Sequence, residues 1–104
     1  MFDSYTCTLN QLETNHPVAM EFTNDVGQVI WSRISSGIFT ANSDGLFTDK
    51  TFIPPYLNNL VNTVGVAYRL TKTNSSVLTL ITVDSGIPTD GLLVNFPLEF
   101  KIYK

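Results

Sequence analysis

The sequence predicts an all-β protein, and three observations support this prediction. Valine, isoleucine and threonine account for 29 of the 104 residues, whereas alanine and glutamate occur three times each. Aromatic residues add a further 12%, and β-branched and aromatic side chains favour strands over helices. Short runs of alternating apolar and polar residues are separated by Gly, Pro, Asn and Asp, which are typical of turns. We therefore expect about seven short, mainly antiparallel strands in one compact sandwich- or barrel-like β domain spanning residues 1–104.

The strands can be placed from this alternation. They are predicted at residues 18–22, 28–34, 37–42, 46–48, 64–71, 77–83 and 96–103. Asp44-Gly45 predicts a tight hairpin turn between the third and fourth strands, because this dipeptide accepts positive φ angles. Pro54 and Pro55 cannot donate ladder hydrogen bonds, so residues 50–62 are predicted to be a crossing loop. Residues 1–14 are predicted to be a loosely ordered or subunit-exchanging N-terminal segment.

The last strand has the cleanest alternation and predicts one side of the core. Its apolar face is predicted to consist of Phe96, Leu98, Phe100 and Ile102. This face is expected to pack against a row of the fifth strand made of Val64, Val66, Tyr68 and Leu70. Pairing two such rows would bury eight side chains that prefer an apolar environment.

The sixth predicted strand is apolar on both faces, which indicates assembly. Val77, Ile81 and Val83 point one way, whereas Leu78 and Leu80 point the other. A lone two-layer subunit would leave one of these rows in water, and exposed apolar patches usually mark interfaces. We therefore expect a closed homo-oligomer of two to four subunits, with Leu78 and Leu80 near the contact if the opposite row faces the core. The competing interpretation is that the crossing loop covers this row within one chain.

Composition excludes several partners and locations. The net charge is −3 and no basic run occurs, so nucleic acid is not an expected partner. No apolar run approaches the roughly 20 residues that a membrane span requires. The first residues lack the basic and apolar regions of a signal peptide. Together with the single cysteine, these features predict a protein made in a reducing cytoplasm.

The chain contains few residues that could carry out catalysis. Cys7 and His16 are the only cysteine and histidine, which is too few for the four-ligand sets of structural zinc. No serine motif accompanies His16, and Asp44, Asp84 and Asp90 lie beside Ser or Gly in predicted turns. We therefore predict no catalytic residues, no metal, no cofactor and no enzymatic activity. Charged residues are only 14% of the chain, a composition that suits a surface buried in an assembly.

One pair of residues suggests a ligand site. Trp31 and Arg33 lie two positions apart on one face of the second predicted strand, where they could form a stacking platform. The competing interpretation places Trp31 in the core and Arg33 at a sheet edge. If the platform exists, the chain is a small binding module for a glycan or an elongated apolar ligand. Burial of Trp31 within one subunit would count against that function.

The order of several short segments resembles a known group of proteins. The segments are Asn15-His16-Pro17, VIWSR at 29–33, GIFT at 37–40, DGLFTDKT at 44–51 and DGLLVNFPLEFKIY at 90–103. Across residues 15–104 they are similar to small uncharacterised all-β proteins of the Bacteroidota, their phages and environmental relatives. The resemblance implies no activity and no catalytic residues. It implies a free-standing small protein that assembles into a homo-oligomer, is encoded near phage structural genes and is cytoplasmic or virion-associated. The low charge, the sixth strand with two apolar faces and the lack of a catalytic set predict a non-enzymatic structural or assembly protein.

Overall fold

The chain is all-β, as the sequence predicts. The computed structural model describes residues 1–54 and 65–103, and these ranges contain no helix and nine strands in two antiparallel sheets. The strands are β1 (Phe2–Asn10), β2 (Val18–Asn24), β3 (Ile30–Ser35), β4 (Ile38–Asn42), β5 (Thr51–Phe52), β6 (Val66–Asn74), β7 (Val77–Asp84), β8 (Ile87–Pro88) and β9 (Phe96–Tyr103). Because the described ranges have no helix, they also contain no apolar helix that could cross a membrane.

The two sheets share one core. The first sheet has the order β2-β1-β9-β5, and the second has the order β3-β4-β7-β6 with β8 paired to β7. Neither sheet closes on itself within the described strands. Buried side chains from both sheets form one apolar cluster, in which Trp31, Phe39 and Leu80 of the second sheet join Tyr5 and Phe100 of the first.

The N-terminal residues form a strand, so the prediction of a loosely ordered N-terminal segment is wrong. Residues 2–10 form β1, which lies inside the first sheet and pairs with β2 on one side and β9 on the other. Tyr5, Cys7 and Leu9 alternate with hydroxyl-bearing residues and are buried in the core. This period of two is the strand signal itself.

The predicted strand at 46–48 is also wrong. A turn does form at Gly45, whose φ is 71°, but the chain then runs across the β6–β7 turn instead of pairing back. The Phe47 N–H donates to the Ser75 carbonyl at 2.9 Å, and the Phe47 ring packs edge-on against Phe100 with centroids 5.5 Å apart. Burial of this ring therefore determines the path of the segment.

A hairpin that the sequence reading missed follows β7. Ser85 and Gly86 both have positive φ angles, 53° and 84°, and they join β7 to the two-residue strand β8. Positive φ at both central residues is the geometry of a tight primed turn. Ser-Gly is a weaker signal for this turn than Asn-Gly or Asp-Gly.

The predicted core face of β9 is confirmed. Its four members are at most 9% exposed, and Phe100 is fully buried. The facing row is confirmed in part: the Tyr68 ring lies 4.2 Å from that of Phe96, and Leu70 is buried. Val66 is 49% exposed because it lies at the start of β6, so its predicted burial is wrong. Val64 lies outside the described residues.

The predicted subunit contact required Leu78 and Leu80 to face away from the core, but the structure shows the opposite orientation of β7. Leu78 and Leu80 are 0% exposed and belong to the core of their own chain. Val77 and Ile81 face outward and are half-buried, and Val83 is buried. Leu78 and Leu80 are therefore not available for a subunit contact. The competing explanation is that the crossing loop at residues 50–62 covers the second row within one chain. The first part of this loop contains β5, and the part from position 55 onward lies outside the described residues.

Candidate functional site

Trp31 is a core residue. It is 7% exposed, and its indole Nε1–H donates a hydrogen bond of 3.2 Å to the Tyr5 hydroxyl. That bond joins the two sheets, since Trp31 lies on β3 and Tyr5 on β1. Burial raises the pKa of the Tyr5 hydroxyl well above its ordinary value, so the group stays neutral. Trp31 and Arg33 therefore do not form an exposed stacking platform, and the burial that would count against a Trp31-based binding module is observed.

Arg33 points to the same side of β3 as Trp31, at the end of the core. Its guanidinium forms a two-pronged ion pair with Asp90: Nη2 lies 2.8 Å from Oδ2, and Nε lies 3.1 and 3.2 Å from the two oxygens. Paired N–H groups match the planar carboxylate, which makes this one of the stronger side-chain contacts. Arg33 is thus occupied by a partner within the chain.

Asp90 is the centre of this polar cluster. Its Oδ1 also accepts from the Gly37 backbone N–H at 3.0 Å and from the Gln11 side-chain amide at 3.1 Å. The Arg33 guanidinium, helped by these donors, lowers the pKa of the Asp90 carboxyl from 3.8 to about 2. The sequence predicts only a turn role for Asp90. In the structure its carboxylate also binds Arg33, the Gly37 turn and Gln11 at the end of β1.

Gln11 connects the end of β1 to the cluster. Its side-chain oxygen accepts from the Gly91 N–H at 3.0 Å, and its amide also donates to the Asn15 carbonyl at 3.2 Å. Gln11 is 8% exposed, which is rare for glutamine and is explained by these satisfied bonds. No local pattern in the sequence singles out Gln11, because two of its three side-chain partners, Asp90 and Gly91, lie 79 and 80 residues further along the chain.

Gly37 is required at the β3–β4 turn of this cluster. Its φ is 67°, and a Cβ atom would collide with the Thr82 carbonyl and the Thr89 backbone nitrogen. The Gly37 carbonyl in turn accepts from the Thr82 N–H at 2.8 Å. The polar cluster of Gln11, Arg33, Gly37, Asp90 and Gly91 therefore links the β3–β4 turn, the end of β1 and the segment before β9 to one another. This is a structural role.

His16 and Cys7 have separate surroundings in the structure. The His16 ring accepts the Arg33 backbone N–H at Nδ1, 2.8 Å away. Cys7 is 2% exposed, and burial raises the pKa of its thiol to about 11, which keeps the thiol protonated at neutral pH. Among residues 1–54 and 65–103 no three His, Cys, Asp or Glu side chains converge on a metal-sized site.

A groove of about 480 Å³ opens at the other end of β1 and β9. Its walls include Val26, Leu46 and Ile102, and Asp3 and Lys50 also line it. Small-molecule sites are of this size and are mostly apolar with a few polar groups. If the chain binds an apolar ligand, this groove offers room that the buried Trp31 does not.

The outer face of the first sheet carries several exposed apolar side chains. The register places Val18 and Met20 of β2 opposite Asn10 and Thr8 of β1, on the face turned away from the core. Val18 is 70% exposed and Met20 is 62% exposed. Phe22, at a bulge in the β1–β2 pairing, is 65% exposed. We call Val18, Met20 and Phe22 the β2 row.

Aromatic rings occupy another corner of the same face. Phe2 lies opposite Tyr103 with ring centroids 5.3 Å apart, and Phe52 meets Tyr103 at 6.4 Å. The Lys101 ammonium lies 4.7 Å from the centre of the Phe2 ring. All three rings are more than 40% exposed. We call Phe2, Phe52 and Tyr103 the aromatic corner, and together with the β2 row it forms the candidate interaction face.

The chain was compared with family models, curated proteins and solved structures. No family model, no curated protein and no solved structure matches the chain.

The ion pair gives a pH-dependent prediction. A carboxyl whose pKa is lowered by folding stabilises the protein above its unfolded-state pKa, and this contribution is lost as the pH falls through the folded-state pKa. For Asp90 that window runs from its ordinary value of 3.8 down to about 2. We expect Asp90→Asn to lower the free energy of unfolding at pH 7 by about 2 kcal/mol, less than for a fully buried pair because both side chains are partly exposed.

Chemical denaturation at several pH values checks this prediction. The gap between wild type and Asp90→Asn should narrow as the pH falls from 4 to 2, because the wild-type carboxylate then becomes protonated. Asp44→Asn, at an exposed turn position, is the matched control and should leave the stability unchanged at pH 7. A gap that stays constant down to pH 2 would contradict the role assigned to the Asp90 charge.

Proposed function

We propose that this chain is a non-enzymatic structural subunit that assembles with copies of itself into a closed homo-oligomer of two to four subunits. The observation that carries the proposal is the candidate interaction face, on which six large apolar side chains are each more than 40% exposed. Large apolar side chains grouped on one exposed face often mark an interface, and closed symmetry covers such a face without fibre growth. The sequence resemblance supports placing this assembly among phage-associated structural proteins.

The remainder of this face is suited to burial against another protein. Between the two apolar groups lie Ser4, Thr6 and Thr8 of β1, whose hydroxyls carry no charge. The register adds one charge of each sign, Glu99 and Lys101 on β9. Covering such a surface desolvates few ions, which is the main cost of burying polar surface.

A single charge on this face should disrupt the assembly. We expect Met20→Asp to shift the mass measured by light scattering to that of one chain, since a carboxylate would be buried without a partner. The far-UV circular dichroism should not change, because position 20 is exposed within the subunit. Ile34→Asp is the matched control: Ile34 is also 62% exposed but lies on β3 in the other sheet, and this variant should keep the wild-type mass.

The control also defines the contrary result. A folded Met20→Asp protein with the wild-type oligomeric mass would show that the first-sheet face is not the interface. Loss of the oligomer in Ile34→Asp with no loss in Met20→Asp would assign the contact to the second sheet instead.

A further inference from the structure

We infer that two copies of the chain pair antiparallel along β2, across a two-fold axis at Met20, and so join their first sheets into one continuous sheet. This inference rests on the proposed function and adds an edge-to-edge contact to the face contact proposed there. It follows from the position of β2 at the end of the order β2-β1-β9-β5, where one backbone edge has no neighbouring strand among the described residues. The unpaired N–H and C=O groups of such an edge are a template for pairing with another strand.

The other described edges carry features that oppose pairing. On β3, the Arg33 N–H is already bonded to the His16 ring at 2.8 Å. The outer strand β5 has two residues, too few to pair stably. The edge strand β6 carries Arg69 and Lys72, and charged side chains are a common protection of free edges. β2 has seven residues, and Glu21 is its only charged side chain.

The side-chain pattern of β2 selects the register. With Met20 on the axis, Val18 lies opposite Phe22 of the partner subunit, so the β2 row of one copy meets that of the other. Ala19 then lies opposite the partner's Glu21, and no like charges face each other. An axis at Glu21 would place two carboxylates directly opposite, an arrangement that destabilises strand pairs.

The β1–β2 bulge is compatible with this arrangement. The irregularity lies at Phe22, so residues 18–21 pair regularly with β1 and present an undistorted edge. Bulges increase the local twist of a strand. The distortion therefore lies toward the ends of the paired segment and away from the axis.

Disulfide trapping tests the axis directly. Directly opposed residues in an antiparallel pair have Cα atoms about 4.5–5.5 Å apart, which is within the range of a disulfide. Under mild oxidation Met20→Cys should give a band of two chains on a non-reducing gel, and reduction should return it to one. Wild type, whose Cys7 is buried, should give no such band.

A second cysteine variant on the same row tests the register. Two copies of Val18→Cys would place their new residues four positions apart along the paired strands, about 13 Å, which a disulfide cannot span. Val18→Cys should therefore remain a single chain on the gel. Lys72→Cys, on the β6 edge, should also remain single.

The outcomes separate this inference from the proposed function. A wild-type oligomer in which Met20→Cys does not cross-link overturns pairing at Met20 but leaves assembly intact. Cross-linking of Val18→Cys in place of Met20→Cys overturns the register. A wild-type mass of one chain overturns both.

Discussion

Truncating Phe100 to alanine is expected to lower the free energy of unfolding by about 3–5 kcal/mol. Phe100 is fully buried, stacks on Tyr5 with ring centroids 4.9 Å apart, and receives the edge of Phe47. Removing the ring removes apolar burial and leaves a cavity lined by two other rings that cannot close it. The change is to be measured as a shift in the chemical denaturation midpoint.

A substitution of similar chemistry at the surface is the control for Phe100→Ala. Val94 is 70% exposed, so Val94→Ala should leave the midpoint within experimental error of wild type. An unchanged midpoint for Phe100→Ala would show that the core is not organised around β9.

Leu80→Asp is expected to abolish the folded state altogether. Leu80 is 0% exposed and lies opposite Phe39 of β4 and Leu70 of β6, so an aspartate there would have no polar partner. An unpaired buried charge costs several kcal/mol beyond the lost leucine packing, and a small domain has only about 5–15 kcal/mol of stability. We expect the far-UV spectrum of an unfolded chain in native buffer.

The neighbouring position on β7 provides the matched control. Thr79 lies on the opposite face and is half-buried, so Thr79→Asp should leave a folded protein. A folded Leu80→Asp variant would contradict the assignment of the two faces of β7. It would place the opposite row of β7 in the core, which is the condition under which the sequence predicts a subunit contact near Leu80.

The fold class and one core face could be predicted because they depend on local patterns. The alternation in β9 specifies its buried face regardless of what packs against it. The same signal exists in β1, where Tyr5, Cys7 and Leu9 alternate with hydroxyl-bearing residues. The sequence reading instead treated this stretch as a terminus, although chain ends become ordered when they are built into a sheet.

The faces of β7 could not be distinguished from the sequence, because both carry apolar residues. The choice depends on which row meets the other sheet, and that is a tertiary fact. The structure buries the row containing Leu80 and leaves Val77 and Ile81 half-buried.

The polar cluster was less predictable than the fold. Trp31 and Arg33 suggested a ligand platform because they share a strand face. That shared face points inward, so the Trp31 indole is buried. The Arg33 guanidinium pairs with Asp90, which lies 57 residues further along the chain. Gln11 and Gly37 complete the cluster through contacts that no sequence spacing encodes. By contrast, the apolar residues of β2 were visible as an alternation, but its position as an outer strand was not.

Light scattering of the wild-type protein tests the central claim of self-assembly most directly. Each chain has a mass of 11.6 kDa. We predict a single species of two to four chains that persists on dilution through the micromolar range. A mass of one chain across that range would contradict it.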